Sequence, residues 1–89
     1  MPLPQQPRTF VIAPFYRQAF LFCKEMGWYP RDVTIFVDLD HLLGWRFNGR
    51  EVWWLDRMWP CRTQEDVWHM ERMMLIARIN GADIRRWWT

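Results

Sequence analysis

Residues 9–37 read TFVIAPFYRQAFLFCKEMGWYPRDVTIFV, and they hold two short apolar runs on either side of a segment with helical periodicity. The runs at 9–13 and 33–37 are rich in β-branched and aromatic residues, which is typical of strands buried on both faces of a sheet. The apolar residues that recur at helical spacing between them are Phe15, Ala19, Phe22 and Met26. Gly27 then follows as a helix stop. The stretch predicts a strand, a helix over 15–26 with that apolar face buried, and a second strand.

Downstream of this unit, the sequence predicts a third strand and a second long helix. Residues 39–43 predict one short helical turn, and residues 51–55, which read EVWWL, predict the third strand. Thr63 is a good N-cap, and with Asp66 three residues later it resembles a capping box, so a long helix is expected to begin there. The predicted buried stripe of this helix consists of Val67, Met70, Met74 and Ala77.

A fourth strand is predicted at 83–88, after Asn80-Gly81 ends the helix. Adjacent Arg85 and Arg86 are awkward in a central strand that is buried on both faces, so this strand is expected at an edge. Strands that alternate with helices pair in parallel through right-handed crossovers. The predicted fold class is α/β, a small Rossmann-like or flavodoxin-like βαββαβ domain with a four-stranded parallel sheet in order 2-1-3-4. The first helix then covers one face, and the second helix and the short turn cover the other.

Length and composition fit one intracellular domain. The 89 residues suffice for a single domain, which we expect over 9–89, after a flexible Pro-rich segment at 1–8. No apolar run approaches the roughly 20 residues of a membrane span, and no signal-peptide core is recognisable. We therefore expect a cytoplasmic protein without membrane association, in which Cys23 and Cys61 are reduced thiols.

The chain is unusually rich in tryptophan, and nearly all of its basic residues are arginine. Eight residues are Trp, and Lys24 is the only lysine among the twelve Lys and Arg. A GC-rich genome would produce this bias through its codons, and so would selection for binding, because Trp and Arg dominate interface hot spots. The net charge is only +2, less than a dedicated DNA-binding domain usually carries. The spacing of His and Cys fits no zinc site, so no metal or cofactor is predicted.

A small-ligand site would be expected at the carboxyl ends of the first and third strands, where the order 2-1-3-4 reverses direction. The candidate ligand-binding residues are Tyr16, Arg17, Asp38, Asp56 and Arg57. Arg17 near the start of a helix would favour an anion such as a nucleotide phosphate. No glycine-rich phosphate loop follows the first strand. The alternative is therefore that these are ordinary loop residues on a solvated rim.

The segment IFVDLDHLLG at 35–44 resembles the opening motif of haloacid-dehalogenase-type phosphotransferases, a strand that ends in Asp-x-Asp. That resemblance implies Asp38 as a nucleophile and Asp40 as an acid/base. The chain departs from the family pattern at His41 and Leu42, and it offers no convincing later Lys or acidic pair. The alternative is that Asp38 ends the strand and Asp40 caps the next turn. An enzyme is therefore not the favoured interpretation.

Several Trp lie beside Arg outside the predicted helices. The candidate partner-binding residues are Trp45, Arg46, Trp59, Arg62, Trp87 and Trp88. Exposed Trp next to Arg is compatible with a protein interface, with stacking on single-stranded nucleic acid, or with cation–π contacts that serve no partner. Because the net charge is low, we favour a protein partner over nucleic acid. A homodimer through a sheet edge or through Trp contacts is one form of such an interface.

The stretches TFVIAPFYRQA and DLDHLLGWR resemble small uncharacterised proteins encoded by bacteriophages of GC-rich actinobacteria, with matching residues at 9–19 and 42–46. The resemblance implies a compact Rossmann-like domain with an accessory role in infection, such as binding a host protein, and it transfers no catalytic residues. The sequence thus favours a non-enzymatic protein-interaction module. The alternatives are a nucleotide- or phosphate-binding domain that uses the crevice between the first and third strands, and a nucleic-acid-binding domain.

Overall fold

A four-stranded, all-parallel sheet with helices on both faces organises the chain. The computed structural model describes residues 9–57 and 59–87. The elements in chain order are β1 (Thr9–Ile12), α1 (Tyr16–Met26), a 3₁₀ helix (Pro30–Asp32), β2 (Val33–Phe36), α2 (Leu39–Leu43), β3 (Glu51–Leu55), α3 (Gln64–Ile79) and β4 (Asp83–Trp87). The predicted flexible segment at 1–8 and the candidate contact residue Trp88 lie outside the described residues.

The strand order is β2-β1-β3-β4, which confirms the predicted fold class and topology. β1 is central and pairs with both neighbours, so that Ile12 lies opposite Phe36 of β2 and Trp54 of β3. β4 pairs only with β3 and forms an edge, as its two arginines predicted. Within the described ranges, no helix is long and apolar enough to cross a membrane.

Side chains of alternate strand residues pack into two separate hydrophobic cores, one on each face of the sheet. In β1, Phe10 and Ile12 belong to the core under α2 and α3, whereas Val11 packs in the core under α1. Adjacent Trp53 and Trp54 likewise point to opposite faces. The buried members on the α2 and α3 face are Phe10, Ile12, Phe36, Leu42, Phe47, Val52, Trp54, Trp59, Met73 and Ala77. The predicted distribution of helices over the two faces is therefore confirmed.

The buried face of α1 differs from the predicted one at both ends. Its buried residues are Ala19, Phe22 and Cys23. Phe15 and Met26, which the periodicity assigned to this face, are 49% and 37% exposed. Phe15 is the N-cap, and its extended backbone (φ −144°, ψ 150°) takes its side chain out of the helical phase. Met26 lies in the last turn, just before Gly27 ends the helix in the left-handed conformation.

The start of α3 is as predicted, whereas its buried stripe is rotated. Thr63 and Asp66 form a reciprocal capping box, because each side chain accepts a hydrogen bond from the backbone N–H of the other. Met73 and Ala77 are fully buried, whereas the predicted Met74 is only half-buried. Ala77 belongs to both stripes and Met74 still packs against the core, so the line of contact is only turned toward Met73, and the flanks of the helix stay partly open.

Backbone contacts between two loops hold the end of α3 close to the start of β3. The Phe47 and Gly49 N–H groups donate to the carbonyls of Asn80 and Gly81 at 2.8 Å and 2.7 Å. Gly81 has a φ of +88°, and a Cβ there would meet the Asn48 backbone nitrogen at 3.3 Å. Glycine is required at this position, because both the positive φ and the close approach disfavour any side chain.

Candidate functional site

Asp56, a predicted ligand-binding residue, is engaged within the fold. Its carboxylate accepts hydrogen bonds from the Arg86 guanidinium, at 2.9 Å from Nε and 2.6 Å from Nη2. The Trp54 indole Nε1–H also donates to Asp56, at 3.1 Å. Hydrogen bonding and charge from this carboxylate raise the pKa of Arg86. Asp56 therefore ties the carboxyl end of β3 to the edge strand β4, with its oxygens already in use.

Asp38, the candidate nucleophile of the phosphotransferase motif, caps α2. Its Oδ1 accepts a hydrogen bond from the His41 backbone N–H at 2.8 Å. The sequence predicted that Asp40 caps this turn. Asp40 instead lies exposed in the first turn of α2. Among residues 9–57 and 59–87, no three His, Cys, Asp or Glu side chains lie close enough to hold a metal ion together.

The remaining ligand-site candidates are spread over the surface. Tyr16 is 50% exposed, with its ring 6.3 Å from that of Phe20, and Arg17 is exposed on the same helix. Arg57 lines a shallow cavity of about 170 Å³ whose other walls come from α1 and from the ends of β3 and β4. Arg57 is the only one of the five predicted residues in that lining. The structure thus does not assemble them into one described cavity.

Trp59, expected as an exposed contact residue, is instead part of the core. It is 8% exposed, and its ring stacks on Trp54 with 4.7 Å between centroids and 8° between planes. Its indole Nε1–H donates to the Leu55 carbonyl at 2.6 Å. The loop after β3 turns back over the sheet, and the indole completes the cluster beneath α3. The expectation that Trp59 forms an exposed surface is therefore wrong.

Trp45 and Trp87 are half-buried, which limits the surface that either can offer. Trp45 packs edge-on against Phe10 and Phe36, with centroids 5.7 Å and 5.6 Å away. Trp87 packs edge-on against Phe22 at 4.8 Å. The neighbouring Arg46 and Arg62 are exposed. The exposed members of the predicted contact set are therefore the guanidinium groups of Arg46 and Arg62. None of its tryptophans within the described residues is fully exposed.

An exposed apolar stripe runs along the outer side of α3. Trp68, Leu75 and Ile79 are 54%, 53% and 67% exposed. Arg72 lies between them in the same row, and its guanidinium carbon is 4.7 Å from the centroid of the Trp68 ring. We call these four residues the outer face of α3. The predicted buried stripe of α3 leaves Trp68 out. Sequence analysis missed that a second stripe with 4-3-4 spacing runs through Trp68, Arg72, Leu75 and Ile79.

A groove of about 310 Å³ runs beside the outer face of α3, on the side toward β4. Its lining residues are Trp54, Met70, Glu71, Met74, Leu75, Arg78 and Arg86. Leu75 belongs to both the groove and the outer face, so the two form one continuous apolar surface. Glu71 and Arg78 are exposed at its rim and carry opposite charges.

Comparison with protein-family models, with curated proteins and with solved structures finds no match for this chain.

Proposed function

We propose that this chain is a non-enzymatic protein-interaction module and that its contact surface is the outer face of α3. The observation that carries the proposal is the exposure of three large apolar side chains in one row, each more than half accessible to solvent. Contiguous exposed apolar side chains of this kind mark contact sites on soluble domains. Trp and Arg, which meet here as Trp68 and Arg72, are the residue types most enriched in binding hot spots.

A protein partner fits this surface better than a nucleic acid. Glu65 and Glu71 lie on the same helix as Trp68, and Glu71 stands directly at the rim of the groove. Their carboxylates offset the charge of Arg72, which lies over the indole, and the whole chain carries a net charge of only +2, so a strong basic excess that would hold a phosphate backbone is missing. Mixed charge around an apolar strip is instead the usual composition of a protein interface.

The small-ligand alternative has less support. Asp56 and Asp38 accept hydrogen bonds within the fold, and Arg57 faces a different cavity from the one expected. The resemblance to phage proteins extends the proposal to an accessory role in infection, with a host protein as one candidate partner. That role requires no catalytic residue in this chain.

A capture experiment tests the proposal. The tagged full-length chain is incubated with nuclease-treated bacterial lysate, alongside its Leu75→Glu and Leu21→Glu variants. Leu21 is 57% exposed on α1, so it is a matched control for Leu75 on α3. We expect a stoichiometric partner to stay bound to the wild type and to Leu21→Glu and to be lost from Leu75→Glu. Equal retention by all three proteins, at equal far-ultraviolet circular dichroism, would exclude the outer face of α3 as the contact surface.

A further inference from the structure

We infer that the outer face of α3 binds a second copy of this chain, with the two α3 helices packed antiparallel around a twofold axis. This inference rests on the proposed function and names the occupant of its contact surface. It is carried by three observations on α3: the spacing of the apolar row, the charges beside that row, and the position of the adjacent groove.

The row has the spacing of a helix–helix seam. Trp68, Arg72, Leu75 and Ile79 are separated by four, three and four residues, which is the alternation that keeps a stripe facing one partner helix. The α3 helix is about 24 Å long at 1.5 Å per residue, so the row runs along most of it. A seam of this kind is completed by a helix that carries the same spacing, and a second copy supplies one. Arg72, the one polar residue in the row, would fix the register of the pair.

The charges select the antiparallel orientation. Glu71 and Arg78 lie seven residues apart, on the same side of the row, and both are exposed. When Trp68 of one copy packs level with Ile79 of the other, the axis passes near the middle of the helix. Glu71 of each copy then faces Arg78 of the other, and the two attractive pairs are related by symmetry. In a parallel pair in register, the flank that carries Glu71 and Arg78 would lie on opposite sides of the seam in the two copies, so neither attractive pair would form.

The groove lies where the antiparallel pair places an indole. In this arrangement Trp68 of the second copy reaches α3 near Leu75 and Arg78, which also line the groove. The half-buried Met70 and Met74 contribute to the same lining. A volume of about 310 Å³ has room for a Trp side chain, and the thioethers offer it an adaptable apolar surface. The symmetric pair thus fills both grooves with residues that are exposed in the single chain.

Sedimentation equilibrium of the full-length chain over a wide micromolar range tests this inference. We expect a pair built on one helix per copy to bury less than the usual interface area of about 1,200–2,000 Å², and therefore to dimerise reversibly in the micromolar range. Leu75→Lys should raise the dissociation constant at least about tenfold, because Leu75 lies level with Arg72 of the other copy and a second cation there is repelled. Leu21→Lys on α1 should leave the dissociation constant unchanged.

Charge-reversal variants test whether Glu71 of one copy faces Arg78 of the other, as the antiparallel pair requires. Glu71→Arg and Arg78→Glu should each weaken dimerisation by about tenfold, because each creates two like-charge contacts. The double variant should restore it, and a mixture of the two single variants should form a heterodimer. A dimer indifferent to all of these changes, or a chain that is monomeric throughout, would overturn the inference. A monomeric chain whose Leu75→Glu variant still loses a captured partner would overturn the inference alone and leave the proposed function standing.

Discussion

Replacement of Trp59 by Ala measures how much of the core this indole supports. The change removes a ring that is 8% exposed, its parallel stack on Trp54 at 4.7 Å, and its 2.6 Å hydrogen bond to the Leu55 carbonyl. Truncation of a buried Trp to Ala typically lowers the free energy of unfolding by about 3–5 kcal/mol. A domain of 89 residues has a total of about 4–13 kcal/mol at 0.05–0.15 kcal/mol per residue, so the loss is a large share of it.

Urea unfolding followed by far-ultraviolet circular dichroism is the appropriate assay, because the helices dominate this signal and the midpoint of the transition does not depend on the amplitude that the indole adds. With a slope of about 1–1.5 kcal/mol per molar urea, the midpoint should fall by about 2–5 M. Trp59→Phe keeps an aromatic ring and loses the N–H donor, so it should cost about 1–2 kcal/mol and stay measurable if the Ala variant is unfolded.

Trp68→Ala is the matched control, because it removes an indole that is 54% exposed on α3. It should lower the free energy of unfolding by less than about 1 kcal/mol. An unchanged midpoint for Trp59→Ala would show that this indole is not packed as described. A larger loss for Trp68→Ala than for Trp59→Ala would reverse the assignment of core and surface.

Other predictions follow from single contacts. Asp56→Asn weakens the paired contact from Arg86 and should lower the free energy of unfolding by about 1–2 kcal/mol in the same urea assay; an unchanged value would show that the pair adds nothing. Thr63→Ala removes the N-cap of α3 and should cost about 0.5–2 kcal/mol, seen as a lower midpoint of thermal unfolding. In the native chain an alkylating reagent should modify exposed Cys61 quickly and buried Cys23 only after denaturation, as mass spectrometry of the labelled chain would show; two equally fast labels would contradict this. Burial raises the pKa of the Cys23 thiol, so the folded chain holds a proton that the unfolded chain releases, and the free energy of unfolding measured by urea titration should fall as the pH rises above the ordinary pKa of a thiol.

The strand and helix order could be predicted from sequence because local patterns determine it. Short runs of β-branched and aromatic residues bounded by Gly, Pro and Asp predicted β1 to β3, and the bounds of β3 agree with the prediction residue for residue. Arg85 and Arg86 predicted that β4 is an edge strand, because desolvating two adjacent cations in a central strand is costly. The topology 2-1-3-4 then followed from parallel pairing with short crossovers.

The candidate site could not be predicted in the same way, because it depends on contacts between distant residues. Asp56 is engaged by Arg86, thirty residues later, and no local pattern reports that pairing. Trp59 lies in a loop, and position in a loop does not say whether the loop folds back over the core. For Trp68 a local signal did exist. The apolar residues on several sides of α3 obscured it, because a single buried stripe describes such a helix poorly.

Most described tryptophans of this chain fill the space between the sheet and its helices, and Trp68 is the exception. Strands of four or five residues offer a small sheet, and side chains that bury about 150–250 Å² each can fill the space between it and the helices. Trp54 and Trp59 fill it on one face, and Trp53 packs against Phe22 on the other. Among the tryptophans within residues 9–57 and 59–87, Trp68 alone is exposed. Trp68 is therefore the one described indole left in solvent, in line with Leu75 and Ile79, and the groove beside this row has room for the indole of a second copy.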